Sequence, residues 1–159
     1  MSVRHDRVSY WLVGLFLVLI LCAAYFAIAP HMQPRVSLRL GDGVYKARIA
    51  ETNEEIVRGL SGVKALSETD AMLFVFDRSE TWGMWMKDMD IPIDIIWLND
   101  EQEVVYIVKY AAPEDYPETY RPKDAARYVL EVKAGSVDDQ GIAIGDKASF
   151  DLAQAEGLW

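Results

Sequence analysis

The chain has 159 residues, of which 52% are hydrophobic and 26% are charged, a balance typical of a folded protein. This length leaves room for about one ordinary domain beside any membrane segment, which excludes an architecture of two large domains. The 25 Asp and Glu residues outnumber the 16 Lys and Arg residues, giving a net charge of -9. Because such a surface repels phosphate backbones, we predict no nucleic-acid partner.

The first predicted element is an apolar run near the N-terminus. Residues 11–29 contain no charged side chain, and about twenty apolar residues form a helix that can cross a bilayer. The run is longer than the apolar part of a cleavable secretory signal, and Pro30 would hinder cleavage after it. We therefore predict a retained transmembrane anchor with the N-terminus in the cytoplasm and the domain outside it, in the cell envelope. The predicted boundaries are a cytoplasmic tail at 1–7, the anchor at 8–30, a linker at 31–35 and the domain at 36–159.

The domain begins with a predicted hairpin and a short helix. Residues 36–40 and 44–51 have the β-branched or alternating pattern of strands, and the Gly-Asp-Gly sequence between them favours a turn. Thr52 is the predicted N-cap of the helix, since a glutamate three residues later completes a capping box. Gly62 is its predicted terminator.

From residue 71 onward the pattern is dominated by strands. Apolar residues follow a period of two or form continuous runs, and Gly, Pro, Asp or Asn residues separate the segments. The predicted strands lie at 71–77, 82–87, 91–100, 104–113, 126–135 and 147–152. Because helices for parallel crossovers are too few, we predict a mainly β domain, an antiparallel β-sandwich or jelly-roll-like fold with one short helix.

Several common kinds of active site lack their residues. Both histidines, His5 and His31, flank the apolar run, and the single Cys22 lies inside it. A serine or cysteine nucleophile in the domain would therefore have no histidine base, and the usual zinc sites would lack their ligands. The glycine spacing of phosphate loops and the acid spacing of calcium loops are also missing. We assign no cofactor and no metal.

Two acidic residues stand in runs that otherwise predict buried strands. Asp94 lies in IPIDIIW and Glu131 lies in YVLEVKAG, and a charge in such surroundings needs a compensating partner. The candidate cations are Arg58, on the short helix, and Lys87. Two interpretations remain open: a structural ion-pair network, or a polar cleft in an apolar wall.

The aromatic residues of the same segments suggest what such a cleft would bind. We expect Trp82, Trp85, Trp97 and Tyr128 to line it, and aromatic faces suit pyranose rings. We favour a non-enzymatic site for an envelope ligand or protein partner, with a saccharide as one candidate. One alternative is a glycoside hydrolase-type enzyme in which two carboxylates serve as acid and as nucleophile or base. A third interpretation is a structural subunit of an envelope assembly.

Five segments of the chain resemble a known family. They are RGL at 58–60, AMLFVF at 71–76, MWMKDMDIPIDIIW at 84–97, YVLE at 128–131 and IGD at 144–146. Their order and spacing are similar to those of the family catalogued as domain of unknown function 192, and the similarity covers 36–152. The resemblance implies a compact β-sandwich or jelly-roll domain, often exported or anchored, with no established activity. The polar residues that match the family pattern are Arg58, Lys87, Asp94 and Glu131.

Overall fold

The computed structural model describes residues 5–28 and 33–155. The chain divides into two units, which separate between residues 32 and 33. The first unit contains helix α1 (His5–Ile28), and its side chains are exposed throughout residues 10–23, the part for which they are described. None of the helices in the described ranges is both long enough and apolar enough to cross a membrane.

Some predicted boundaries in this part of the chain fall outside the described residues. The predicted tail at 1–7, anchor at 8–30 and linker at 31–35 each include residues from 1–4 or 29–32, which are not described. The second unit enters regular structure with its first strand at Arg35. That is one residue before the predicted start of the domain.

The second unit is mainly β, as predicted. Its strands are β1 (Arg35–Leu40), β2 (Gly43–Ala50), β3 (Asp70–Glu80), β4 (Met84–Trp85), β5 (Ile93–Leu98), β6 (Val104–Ala111), β7 (Thr119–Tyr120) and β8 (Ala126–Lys133). Its α-helices are α2 (Asn53–Arg58) and α3 (Ser136–Asp139), and single 3-10 turns cover Pro113–Asp115 and Leu152–Gln154.

Six strands form one mixed sheet in the order β1-β2-β3-β8-β5-β6. Strands β2 and β3 are parallel, with Lys46 opposite Asp70 and Ala50 opposite Phe74, and the other pairs in this sheet are antiparallel. The prediction of a purely antiparallel domain is therefore wrong. A parallel pair needs a crossover of about a dozen residues or more, and residues 51–69, which include α2, supply it.

The sandwich prediction also needs correction. Strands β4 and β7 form the second sheet, and each has only two residues. Two sheets of comparable size therefore do not face each other among the described residues. The predicted strand at 147–152 is reduced to isolated bridges at Lys147 and Ser149.

The segment 145–149 bridges the two edges of the six-stranded sheet. At one edge, Ser149 exchanges backbone hydrogen bonds of 2.9 and 3.0 Å with Arg39 of β1. At the other edge, the Val104 N–H donates to the Asp146 carbonyl oxygen at 2.8 Å, and the Ala148 N–H donates to the Gln102 carbonyl oxygen at 2.8 Å. The sheet is thus closed into a barrel-like ring, which pairs backbone groups that an open edge would leave free.

The two faces of the sheet pack against different cores, because successive strand side chains point to opposite sides. The first core contains Leu73, Ile96, Leu130 and Val132 together with residues near the C-terminal end. The second core contains Met72, Phe74, Ile95, Trp97 and Val129. This alternation places Asp94 on the side of the first core and Glu131 on the side of the second.

Helix α2 begins as predicted and ends earlier than predicted. The Glu55 N–H donates to Thr52 Oγ1 at 3.3 Å and the Thr52 N–H donates to Glu55 Oε2 at 3.0 Å, so the capping box is confirmed. The helix stops at Arg58, and its C-cap is Gly59 rather than Gly62. Gly59 has φ 49° and ψ -130°, a conformation that residues with a Cβ rarely adopt.

Candidate functional site

A cavity of about 410 Å³ lies on the side of the second core. The end of α2, strand β3 and the segment around β4 enclose it, and β8 contributes to it through Glu131. Five of the predicted site residues line this cavity: Arg58, Trp82, Trp85, Lys87 and Glu131. Asp94, Trp97 and Tyr128 do not.

Glu131 is the buried polar group of the cavity. Its side chain is 3% exposed, and its Oε2 atom has no hydrogen-bond partner among the described residues. Burial raises the pKa of the carboxyl from 4.5 to about 8, and the positive charge of Arg48 opposes that rise. At neutral pH the carboxyl is therefore mainly protonated, because the apolar surroundings disfavour its charged form.

Gly59 leaves the space beside this carboxyl open. A Cβ atom at Gly59 would lie 3.9 Å from Glu131 Oε2 and 3.3 Å from Phe74 Cζ. A Cβ atom there would press on the Phe74 ring and would lie in ordinary contact with the acid. The early end of α2 thus leaves no side chain between Gly59 and the buried, unpartnered Oε2 atom.

Two tryptophans on the cavity have different roles. The Trp82 ring stacks on Phe76 with centroids 4.2 Å apart and planes 7° apart, and its Nε1–H donates to the Arg78 carbonyl oxygen at 3.1 Å. The Arg78 Cζ atom also lies 5.8 Å from the Trp82 ring centroid. Trp82 is therefore held in place as part of the wall. Trp85 is 46% exposed, so its ring is available to a ligand at the mouth of the cavity.

The predicted cations do not pair with Glu131. Arg58 forms an exposed ion pair of 2.7 Å with Glu54, and Lys87 is exposed. In the described part of the chain, no ion pair within 4.0 Å involves Glu131. The cation that influences its pKa is Arg48, because Met72 of β3 lies between Arg48 of β2 and Glu131 in the sheet register.

Asp94 lies on the other face of the sheet, where it is fully paired. Its Oδ1 atom accepts the Tyr110 N–H at 2.8 Å, and its Oδ2 atom accepts the Gly135 N–H at 3.0 Å and the Val137 N–H at 2.9 Å. Tyr110 has φ 56° and Gly135 has φ 92°, so the carboxylate stabilises two unusual backbone turns. Asp94 is a structural residue, and it does not contribute to the cavity.

Trp97 and Tyr128 also lie outside the cavity. Trp97 is completely buried, and its Nε1–H donates to the Trp82 carbonyl oxygen at 2.9 Å, so it supports the wall from behind. Tyr128 packs edge-on against Phe150 with ring centroids 5.2 Å apart, on the side of the first core.

Within the described residues, no group of three or more His, Cys, Asp or Glu side chains is placed to hold a metal ion.

The comparison with protein families gives a match over residues 36–150 to DUF192, whose description is Uncharacterized ACR. The chain belongs to the DUF192 family. The resemblance predicted from the sequence segments is thus confirmed. A comparison with curated proteins finds no match.

Two solved structures resemble this DUF192 chain. One is a protein described as a candidate transcription regulator from Sinorhizobium meliloti 1021, with 25% identity and a TM-score of 0.67, covering 74% of this chain and 92% of that one. The other is a protein of unknown function from Novosphingobium aromaticivorans DSM 12444, with 26% identity and a TM-score of 0.67, covering 72% of this chain and 83% of that one.

The DUF192 segments divide between the two faces of the sheet. RGL at 58–60, the tryptophan and lysine of the WMK segment, and Glu131 meet at the cavity, whereas Asp94 stabilises the opposite side. Sequence reasoning missed Gly59 and Arg48 as parts of the Glu131 environment. The sequence could have indicated Gly59 as the end of the helix, because it directly follows the last periodic residues of a capped helix. Nothing in the sequence indicated Arg48, because its position near Glu131 depends on the order of the strands, which local sequence patterns do not specify.

Proposed function

We propose that this domain binds a small organic ligand in the cavity beside Glu131, and that a saccharide is the first ligand class to test. The observation that carries the proposal is the buried, unpartnered Oε2 atom of Glu131 facing a cavity of about 410 Å³. Buried polar atoms are nearly always hydrogen-bonded, so a ligand hydroxyl or N–H group would complete this site. The partly exposed Trp85 ring offers the flat apolar surface that a sugar ring prefers.

The geometry favours binding over the alternatives. Hydrolysis by a pair formed from Asp94 and Glu131 lacks support, because Asp94 is opposite Val132 and Glu131 is opposite Ile95, so the two carboxylates leave the sheet on different sides. A purely structural ion-pair network lacks support because Arg58 and Lys87 do not pair with Glu131 within 4.0 Å in the described structure. We propose no nucleic-acid partner, since the chain has a net charge of -9.

A thermal scan of the full-length protein against a panel of mono- and disaccharides tests the proposal. A ligand that binds the native state raises the melting temperature, by the equivalent of about 2.7 kcal/mol at a hundred times its Kd. Trp85→Ala should abolish most of the shift. Tyr116→Ala is the matched control, because Tyr116 is 47% exposed and does not line the cavity. A panel without any shift, or a shift that survives Trp85→Ala unchanged, contradicts the saccharide proposal.

We further propose that the apolar segment predicted from the sequence anchors the domain to the cell membrane, with the domain outside the cytoplasm. The support is the apolar sequence of 11–29 and the exposure of its described side chains, such as Trp11 at 80% and Leu21 at 68%. Membrane fractionation with an alkaline wash, followed by intact mass measurement, tests the anchor. A protein released by the wash, or a mature mass that begins at Pro30, contradicts it.

A further inference from the structure

We propose that the cavity beside Glu131 recognises a primary ammonium group, with the Glu131 carboxylate as its counter-ion. This inference rests on the proposed ligand-binding role of the cavity and specifies the chemical group that enters deepest. A primary ammonium offers three N–H donors on one compact charge. The Oε2 atom of Glu131 is a buried acceptor without a partner in the described chain, so one of those donors would satisfy it.

The charges around the cavity favour a cation. The charged residues that line it are Glu51, Arg58, Asp77, Lys87 and Glu131. Arg58 is neutralised by its 2.7 Å ion pair with Glu54. Glu131 is protonated at neutral pH, but the other two lining acids, Glu51 and Asp77, still outnumber the remaining cation, Lys87. The net charge of -9 on the whole chain adds an attractive field for a positive ligand.

The uncharged part of the lining suits the body of an organic amine. Its large apolar side chains are Phe74, Phe76, Trp82, Met84, Trp85 and Met89. Aromatic faces attract ammonium groups, and the attraction grows when water is excluded. Methionine thioethers are polarisable and adapt to alkyl groups of different shape. An inorganic cation would leave these apolar surfaces without a partner, whereas an alkyl or aryl amine would cover them.

Binding of the ammonium group must be coupled to release of a proton. The free carboxyl keeps its proton up to about pH 8 because of burial, so the ammonium binds as the carboxyl ionises and the proton passes to solvent. The other charged groups near this carboxyl are Arg48 across β3, which already favours ionisation, and the lining residues Glu51, Arg58, Asp77 and Lys87. Affinity should therefore rise about tenfold for each unit by which the pH is raised toward 8, and level off between pH 8 and the pKa of the amine, above which the ligand loses its own proton.

Calorimetric titration of the full-length protein with benzylamine and with benzyl alcohol, between pH 6 and pH 8, tests the inference. The two probes share their aromatic body and differ in the charged group. We expect benzylamine to bind more tightly than benzyl alcohol and to gain at least tenfold in affinity between pH 6 and pH 8. Glu131→Gln should remove both the preference and the pH dependence. Glu51→Gln should keep the pH dependence, because Glu51 lines the same cavity but is exposed.

Glucose and glucosamine, compared at pH 7, separate this inference from the proposed saccharide function. Equal binding of the two sugars without a pH effect leaves the saccharide proposal intact and overturns the ammonium inference. Binding of benzylamine but of neither sugar supports the inference and overturns the saccharide class. Absence of binding by all four probes overturns the ammonium inference, as does benzylamine binding that Glu131→Gln leaves unchanged.

Discussion

Asp94 and Glu131 lie within one residue of each other in the register of β5 and β8, yet their side chains leave the sheet on opposite sides. The sequence made both residues conspicuous, since each is an acid in an apolar strand. It could not show which acid finds donors, because those donors come from Tyr110, Gly135 and Val137, which are distant in sequence from Asp94. The structure therefore does not bring Asp94 to the cavity that Glu131 lines.

Replacing Asp94 with asparagine should destabilise the fold. The carboxylate accepts three backbone hydrogen bonds, and an amide would set its own N–H groups against one of those donors. We expect Asp94→Asn to lower the free energy of unfolding by about 2–4 kcal/mol, measured by urea unfolding of the full-length protein. Asp138→Asn is the control, because this exposed acid pairs with Lys109 at the surface and should change stability by less than about 1 kcal/mol. Equal effects of the two variants would contradict the structural role of Asp94.

Glu131 should make the stability of the protein depend on pH. Its pKa is about 8 in the folded state against an ordinary value of 4.5, so between these values the folded protein holds one more proton than the unfolded chain. Stability should then fall as pH rises through this window, by at most about 1.4 kcal/mol per unit, and become constant above about pH 8. Glu131→Gln should remove this component, which urea unfolding between pH 5 and pH 9 would reveal. Parallel stability curves for the two proteins would contradict the raised pKa.

At the scale of elements, the end of α2 decides the shape of the cavity. The capping box at Thr52 made the start of the helix predictable, because its hydrogen bonds join residues three apart. Its end was less predictable, since Gly59 and Gly62 both have positive φ, at 49° and 75°. The difference between them lies in what surrounds each glycine. Phe74 and Glu131 lie close to Gly59, whereas Gly62 has no atom of the described structure within 4 Å of an added Cβ.

A comparison of Gly59→Ala with Gly62→Ala should separate the effect of backbone strain from the effect of a methyl group beside the cavity. Both substitutions impose a strained conformation worth about 1 kcal/mol or more. Gly59→Ala should in addition reduce affinity for any cavity ligand at least tenfold, because its methyl group would press on Phe74 and occupy the space beside Glu131. Thermal scans with and without benzylamine measure both effects. If Gly62→Ala weakens the ligand as much as Gly59→Ala does, the proposed location of the site is wrong.

At the scale of the whole molecule, the ring depends on pairings between distant parts of the chain. The mainly β composition followed from period-two patterns, but the parallel pair of β2 and β3 and the closure by 145–149 did not. Local patterns specify which residues form strands, and they contain little information about which strands become neighbours. For the same reason the sequence could nominate Arg58 and Lys87 as partners of Glu131 but not Arg48.

A proline at Ser149 should weaken the closure of the ring. The Ser149 N–H donates to the Arg39 carbonyl oxygen at 2.9 Å, and proline has no N–H to donate. We expect Ser149→Pro to lower the free energy of unfolding by roughly 2–4 kcal/mol. Ser149→Ala is the matched control, since it keeps the donor and removes only an exposed hydroxyl. Amide hydrogen exchange at Arg39 would become faster in the proline variant alone, and unchanged exchange there would contradict the closure.

The six-stranded sheet also separates the first core from the second core, and the cavity beside Glu131 lies only on the side of the second. A slip of one residue in the pairing of β8 would exchange the directions of Glu131 and Val132. The position of the acid beside the cavity therefore depends on the register of β8 as much as on the residue type. The acid at the base of the cavity therefore keeps its direction only while β8 keeps its pairing with β3 and β5.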